Sequence, residues 1–502
     1  MLLIFLRGTA ILLGALALAA SWLYVQAFAA AWLGMILLFA AVAGLSRRKA
    51  FAAGFLFGLI YMIVALQWAP HMLAITLDCD EQLLKPWLVF VAIAAWEAIP
   101  FAVISSVAAS AAERAIPCWA CASGWIVMER FWPRVFPWSF AHTQIDFPPM
   151  VQAAELGGMY LVSFVFVYAC LDIGVRMSRK DFAARLVTCV PLLLVVLCLT
   201  FGWFRLASLN ASLDRKETIR VGVVQVDPSY VDSMKKMRVA SEQFPPVDLL
   251  VWPESTLGSY SSAVAGLNDI RKDIKVAHMP FLDWKQARGL NTWLLVGGKT
   301  FEPGAGAAGP YYQTAYLIDT EGVFRGRYHK RELMPIGEYM PLEQTYPELH
   351  DWAQLSKQAA WGTSDAPLQA SGGVRIGALL CYEDIVAEMS RRSVANGAEL
   401  LVSLINASAF EDSLALNQHL RLATLRSVEN RRTLIRCSGT GVSCCIDLTG
   451  KLVTHVPPNT EGQFVVEAQL NKGRTIYNRF GYLFPHLAAV ALGVLALKTC
   501  RP

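Results

Sequence analysis

The sequence predicts two architectures in one chain: a multi-pass α-helical membrane domain over residues 1–210 and an α/β domain over 211–475, followed by a last membrane helix and short tail within 476–502. Three observations predict this: the composition, the uneven placement of charge and the change in hydrophobic pattern after residue 210. Of 502 residues, 55% are hydrophobic and 17% charged, against about 25% charged in an average soluble domain. Residues 1–210 carry 13 Lys+Arg and 10 Asp+Glu, or 23 of the 83 charges, and the other 292 residues carry 60. Beyond residue 210 the formal charge is 31 − 29 = +2, which excludes the dense basic face that nucleic acid demands. Composition also excludes a disordered chain, a collagen and a small disulfide-stapled scaffold.

A spanning helix needs roughly 20 mostly apolar residues. Seven segments before residue 210 read this way, about Leu2–Ala20, Trp22–Leu45, Phe51–Trp68, Trp87–Ala111, Cys118–Phe131, Gly158–Val175 and Leu186–Phe204. An eighth runs from about Tyr482 to Leu497. Arg7 ahead of an apolar run with small residues at its end also fits a cleaved leader. The six hydrophobic segments that follow favour a retained first helix. Lys and Arg in short loops set orientation. Arg47, Arg48, Lys49, Arg114, Arg176, Arg179, Lys180 and Arg185 all fall in even-to-odd loops, whereas Asp78, Asp80 and Glu81 fall between segments three and four. The basic loops are expected in the cytoplasm, which puts residues 211–475 on the opposite side.

From residue 218, short apolar runs alternate with helical stretches. Strands are expected at Ile219–Val226, Asp248–Trp252, Trp293–Thr300, Tyr312–Asp319, Val374–Leu380, Glu399–Ile405, Leu434–Ser438, Val442–Asp447 and Phe464–Ala468. Helices are expected near 260–275, 383–396 and 413–430, and Asp319–Gly322 and Asp447–Gly450 read as hairpin loops. Gly304–Gly309 matches G-x-G-x-x-G, but Pro310 and a β-type run follow where a dinucleotide site needs a helix. It reads as a hairpin loop. Asn210 and Asn406 match the glycosylation pattern, yet Asn406 ends an apolar strand where a glycan does not fit. Cys118 and Cys121 lack a second pair at zinc spacing and read as packing residues. Cys437, Cys444 and Cys445 lie on apolar strands and are expected to be buried, with a disulfide among them left open.

Three polar residues stand where an ordinary core would not want them. Glu254 follows Leu249-Leu-Val-Trp-Pro253, Lys330 follows the strand pair near 312–327, and Cys381 ends Val374-Arg-Ile-Gly-Ala-Leu-Leu380. Carboxyl ends of strands are where open α/β sheets gather ligands. A cysteine at a strand-to-helix turn is expected to gain thiolate character from the helix N-terminus and a nearby lysine. A neighbouring carboxylate can serve as general base and then as acid. An ammonium can stabilise a tetrahedral oxyanion. Singly, these residues read as a capping carboxylate, a solvated lysine and a buried thiol; their order and setting change that.

Glu254 in Trp252-Pro-Glu-Ser255, Lys330 in Tyr328-His-Lys-Arg-Glu-Leu-Met-Pro-Ile-Gly-Glu338, and Cys381 in Cys381-Tyr-Glu-Asp384 resemble the nitrilase (carbon–nitrogen hydrolase) superfamily. With hydrophobic helices on both sides, the chain resembles the apolipoprotein N-acyltransferase family within it. Trp125-Ile-Val-Met-Glu-Arg130, Phe136-Pro-Trp138, Gln152-Ala-Ala-Glu-Leu-Gly-Gly158, Gln418-His419, Glu429 and Arg432 add to that resemblance. It implies a four-layer αββα sandwich, so that the expected fold is a multi-pass α-helical membrane domain plus an α/β nitrilase-like αββα sandwich. It also implies transfer of an acyl chain from phospholipid to the N-terminal amine of a diacylglyceryl-cysteine lipoprotein, through a cysteine thioester and with no metal or cofactor. By the same resemblance Cys381 is the nucleophile, Glu254 the general base and Lys330 the oxyanion stabiliser. Glu338 would orient Lys330 and Glu254, Tyr382 and Glu383 would shape the pocket, and Asn406 would support it. Asn406-Ala-Ser-Ala-Phe410 stands where the family shows N-D-A-W-F. That departure motivates the alternative of a membrane-anchored relative, of conjugal-transfer or amidase type, with another donor or acceptor. A scaffold with a vestigial triad is disfavoured because Glu254, Lys330, Glu338 and Cys381 occur together.

Overall fold

The computed structural model describes residues 2–24, 26–77, 79, 84–114, 116–178, 190–213, 216–230, 232–261, 291–301, 310–349 and 359–499. The helix expected near 260–275 and the Gly304–Gly309 loop fall outside the described residues apart from 260–261, which end a strand. Two compact units divide the chain, one of Met1–Ala74, Cys79–Ser208 and Arg479–Pro502, the other of Ile75–Asp78 and Leu209–Asn478.

Helices build the first unit: α1 (Leu2–Leu23), α2 (Phe28–Val42), α3 (Arg47–Ala65), α4 (Ala69–Thr76), α5 (Leu84–Arg114), α6 (Cys118–Phe131), α7 (Phe140–Thr143), α8 (Pro148–Val151), α9 (Ala154–Met177), α10 (Val190–Leu213) and a C-terminal helix, Leu483–Thr499. Among the described residues, five are long and apolar enough to cross a membrane: Leu2–Leu23, Arg47–Ala65, Leu84–Ala109, Ala154–Met177 and Val190–Ser212. The other apolar segments expected from the sequence form shorter helices, of 15 residues in α2, 14 in α6 and 17 at the C-terminus. Hydropathy is blind to where a helix ends. The run Trp22–Leu45 is interrupted by the turn around Gln26, whose φ is 67°, and by Gly44. Large apolar side chains such as Leu193, Leu197, Trp203 and Phe204 face outward from α10, as a lipid-facing helix requires. Close approach of α3 and α5 depends on Gly54, where an added Cβ would stand 2.4 Å from the Phe101 carbonyl oxygen. Small residues let helix backbones meet inside a bilayer.

The words read at 125–138 fold together. Trp125, Phe101, Trp138 and Phe140 form an aromatic centre with ring centroids 5.0–6.3 Å apart. The buried Glu129 carboxylate accepts from the Phe140 N–H at 3.2 Å and the Ser163 hydroxyl at 3.0 Å. Glu97 accepts from the Trp138 indole at 3.1 Å and faces Arg134 at 3.4 Å. Buried charges in such a core need partners; Glu97 has the Trp138 indole and Arg134, and one Glu129 oxygen takes both of that carboxylate's hydrogen bonds.

In the second unit the strands are β1 (Thr218–Gln225), β2 (Leu249–Val251), β3 (Leu257–Ser261), β4 (Trp293–Phe301), β5 (Tyr311–Ile318), β6 (Phe324–His329), β7 (Leu368–Gln369), β8 (Arg375–Leu380), β9 (Leu400–Ile405), β10 (Leu434–Ser438), β11 (Ser443–Ile446), β12 (Leu452–Val456) and β13 (Gly462–Gln469). They form two sheets, β13-β1-β2-β4-β5-β6 with β3 beside β4, and β12-β11-β10-β9-β8-β7. Side chains alternate across each strand. Leu249 and Val251 therefore join Ile376, Leu380, Val402 and Cys437 in the core between the sheets. Leu250 and Trp252 point the other way, into a layer with Met237 of α11 (Ser233–Glu242). Helices α12 (Ala387–Ala395) and α13 (Ala415–Asn430) pack on the second sheet. This is the αββα sandwich expected. Cys437, Cys444 and Cys445 are buried and free. Asp319 and Asp447 close the two hairpins by accepting backbone N–H groups two and four residues on.

Topology fixes where the polar residues go. Strands β1, β2 and β4 are parallel, and β6 regains that direction after two antiparallel pairings. In the other sheet β8, β9 and β10 are parallel. Glu254, Lys330, Cys381 and Asn406 thus all follow the carboxyl ends of strands.

Candidate active site

Each residue is delivered by a turn that its strand cannot continue. After β2, Pro253 removes a backbone donor and Ser255 adopts a φ of 63°, so the chain leaves the sheet and leaves Glu254 buried at 3% exposure. Gly297 on β4 makes room: a Cβ there would lie 2.5 Å from the Glu254 Cα. Cys381 itself has a φ of 48°, a conformation disfavoured for a residue with a Cβ. It opens a single 3₁₀ turn, Cys381–Asp384. Lys330 follows β6 directly and is 1% exposed. Strain stored at such turns marks sites where the surrounding structure imposes the geometry.

One residue, Asn406, links Glu254 and Cys381. The Asn406 N–H donates to Glu254 Oε2 at 2.9 Å, and its carbonyl oxygen accepts from Cys381 Sγ at 3.4 Å. Lys330 Nζ donates to Glu338 Oε1 at 2.7 Å, and the other Glu338 oxygen accepts from the Met334 N–H at 2.7 Å. Glu383 braces the two sheets. Its Oε1 accepts from the Tyr328 hydroxyl and the N–H groups of Arg331 and Glu332, and its Oε2 from the Leu380 N–H, all within 2.7–3.1 Å. This carboxylate is fully enclosed and ties the Cys381 turn to the segment holding Lys330. Tyr382 is buried as well, with its phenol pushed up by burial and by Glu332 and Tyr339 nearby.

Electrostatics set the resting protonation. Burial first, and the Glu338 charge after it, push the Glu254 carboxyl up to about 7 against the opposing pull of Lys330. Burial also opposes the Lys330 charge, but the carboxylates of Glu338 and Glu254 hold the ammonium above its ordinary range. Burial and then Glu254 push the Cys381 thiol up, with Lys330 opposing. The expected thiolate character is thus not found. The regular helix begins only at Ala387, and a four-residue 3₁₀ turn precedes it, so no long helix dipole reaches the sulfur. The site rests as a neutral thiol beside a carboxyl balanced near neutral pH and a permanent cation. Such a set can move a proton from sulfur to carboxylate and hold a developing oxyanion.

Beneath the turn lies a cluster the sequence reading did not assemble. Asp384 Oδ2 accepts from Arg436 Nε at 2.9 Å and Ser403 Oγ at 3.1 Å, while Oδ1 stands 2.8 Å from His419 Nε2. Despite burial, Arg436 and His419 pull the Asp384 carboxyl down to about 2. Asp384 and His419 each fall within a motif read from the sequence, but nothing there pairs them or adds Arg436. The signal lay in an acidic residue three positions after a cysteine with two basic residues on later core elements, a pattern without local periodicity.

Known proteins match along most of the chain. The carbon–nitrogen hydrolase family model matches residues 217–477, and the apolipoprotein N-acyltransferase N-terminal domain model matches residues 14–171. An apolipoprotein N-acyltransferase of Geobacter metallireducens is 29% identical, with 94% of this chain and 91% of that protein covered. Another, of Bdellovibrio bacteriovorus, is 25% identical over 71% of this chain and 68% of that protein. Among solved structures, Saccharomyces cerevisiae Nit3, a member of branch 10 of the nitrilase superfamily, aligns at 18% identity and a TM-score of 0.37, covering 50% of this chain and 90% of its own. The chain therefore belongs to the carbon–nitrogen hydrolase family, with that domain joined to an apolipoprotein N-acyltransferase N-terminal domain.

Proposed function

We propose that this protein is an apolipoprotein N-acyltransferase, an enzyme of the bacterial inner (cytoplasmic) membrane that transfers an acyl chain from phospholipid to the N-terminal amine of diacylglyceryl-cysteine lipoproteins. The observation that carries the reading is the joining of a membrane-helix domain to a Glu–Lys–Cys constellation on one chain, within the residues that the two family models match. A small-molecule amidase has no need of such helices.

The chemistry follows from the site. Glu254 as carboxylate takes the Cys381 proton while Sγ attacks the ester carbonyl carbon of the phospholipid. The oxyanion of the tetrahedral intermediate lies against the Lys330 ammonium, held in place by Glu338. When the carbon–oxygen bond breaks, Glu254 returns its proton to the departing alkoxide and a lysophospholipid leaves, with the acyl chain on sulfur. The lipoprotein amine then attacks the thioester, Glu254 accepts the amine proton, and the thiol is reprotonated as the amide forms. Burial sharpens each charge interaction in this sequence. The Lys and Arg placement in short loops supports a catalytic unit outside the cytoplasm.

Purified protein in detergent, given phosphatidylethanolamine with a labelled acyl chain and a diacylated lipopeptide, is expected to move the label to the peptide amine. A labelled free fatty acid as the only product would support the hydrolase reading instead.

A further inference from the structure

We infer that Arg130, at the end of α6, holds the phosphate of a membrane phospholipid in a cradle made with the start of the C-terminal helix. Three other arginines of the helical unit have acidic partners: Arg134 faces Glu97, Arg176 pairs with Asp172 and Arg205 with Glu155. Arg130 makes no ion pair or hydrogen bond among the described residues. Its guanidinium carbon lies 4.2 Å from the Tyr482 ring centroid and 5.3 Å from that of Phe131, and its Nε is buried with no partner. Glu129 beside it is turned inward to Phe140 and Ser163 and leaves the cation without a counter-charge.

The surroundings identify the ligand. Tyr482 packs on Tyr160 with centroids 5.8 Å apart, and Trp96 stacks on Trp132 at 4.4 Å. Tyrosine and tryptophan gather at headgroup depth in a bilayer. Phe131, at 53% exposure, meets His486 at 6.0 Å, and Leu483 and Leu487 are also exposed. An apolar outer surface for acyl chains thus adjoins a half-buried guanidinium, whose planar fork suits phosphate oxygens. A free phosphate would use the cation and leave the apolar surface without a role; a phospholipid uses both. Under the orientation proposed above, this cradle lies in the extracytoplasmic leaflet. The inference rests on the membrane orientation and not on the triad.

Native mass spectrometry of the full-length Cys381→Ala protein in mild detergent tests it, because no thioester can then add acyl mass. With phosphatidylethanolamine as probe, one retained lipid is expected. Arg130→Gln should weaken retention about tenfold, as loss of a charge-assisted pair does, and Arg130→Lys should keep most of it. Diacylglycerol, which lacks phosphate, should not be retained, and millimolar inorganic phosphate should not displace the lipid. Equal retention by folded Arg130→Gln protein, or equal retention of diacylglycerol, overturns the inference. Displacement by inorganic phosphate alone would make this a free-anion site and overturn it too. Failure here leaves acyl transfer by wild-type protein unaffected, so the two readings separate.

Discussion

Two charged regions lie within a few residues of each other in the α/β unit, and their hydrogen bonding differs. Around Asp384 the charges are matched: Arg436, Ser403 and His419 all address one carboxylate, which is pulled down to about 2. Around Cys381 they are not. Glu254 accepts a hydrogen bond from Asn406 and is pushed up to about 7, and the thiol is pushed up as well. The Asp384 cluster holds the turn; around Cys381 two carboxylates, Glu254 and Glu338, share one cation, Lys330. The proposed reactivity and the rigidity thus fall on Cys381 and Asp384, three residues apart.

Substitutions separate the two regions. Cys381→Ser should cost the largest effect, at least about a thousandfold in acyl transfer, with the melting temperature unchanged; near-normal turnover would remove Cys381 from the mechanism. Glu254→Gln should cost about a hundred- to ten-thousandfold. In the unsubstituted protein the sign of the pH effect is fixed by a carboxyl raised to about 7. Below that value it is protonated and cannot accept the thiol proton, so the rate of acylation should fall about tenfold per pH unit, as a stopped-time pH series would record. In Glu254→Gln that slope should vanish.

The lower cluster should respond in stability. Arg436→Leu leaves Asp384 buried without its main partner and should cost about 3–5 kcal/mol, read as a large fall in thermal midpoint of the detergent-solubilised protein. Ser403→Ala removes one hydrogen bond from the same carboxylate and should cost about 1 kcal/mol, with acyl transfer nearly unchanged. A rate loss in Ser403→Ala as large as that of Glu254→Gln would erase the distinction between the regions.

Much of this was legible in the chain. Apolar runs ending in Glu254, Cys381 and Asn406 marked strand ends, because alternation and turn residues are local signals. Lys330 and Glu338 were legible through their shared motif. Three things were not. Asp384, His419 and Arg436 meet only through tertiary packing of a turn, a helix and a strand. The clearance at Gly297 depends on which strand lies beside Glu254. The protonation of Cys381 depends on burial and on a helix that starts six residues after it. Helix ends in the membrane unit, such as those of α2, escaped a hydropathy reading for a related reason: apolar turns resemble apolar helices.

In the proposed reaction Cys381 carries the acyl chain between donor and acceptor. Peptide mass spectrometry of full-length protein incubated in detergent with phosphatidylethanolamine tests it directly. A fatty-acyl mass is expected on the Cys381 peptide, removed by hydroxylamine and absent from Glu254→Gln. An unmodified Cys381 in folded protein, with lipopeptide still acylated in the same mixture, would contradict it.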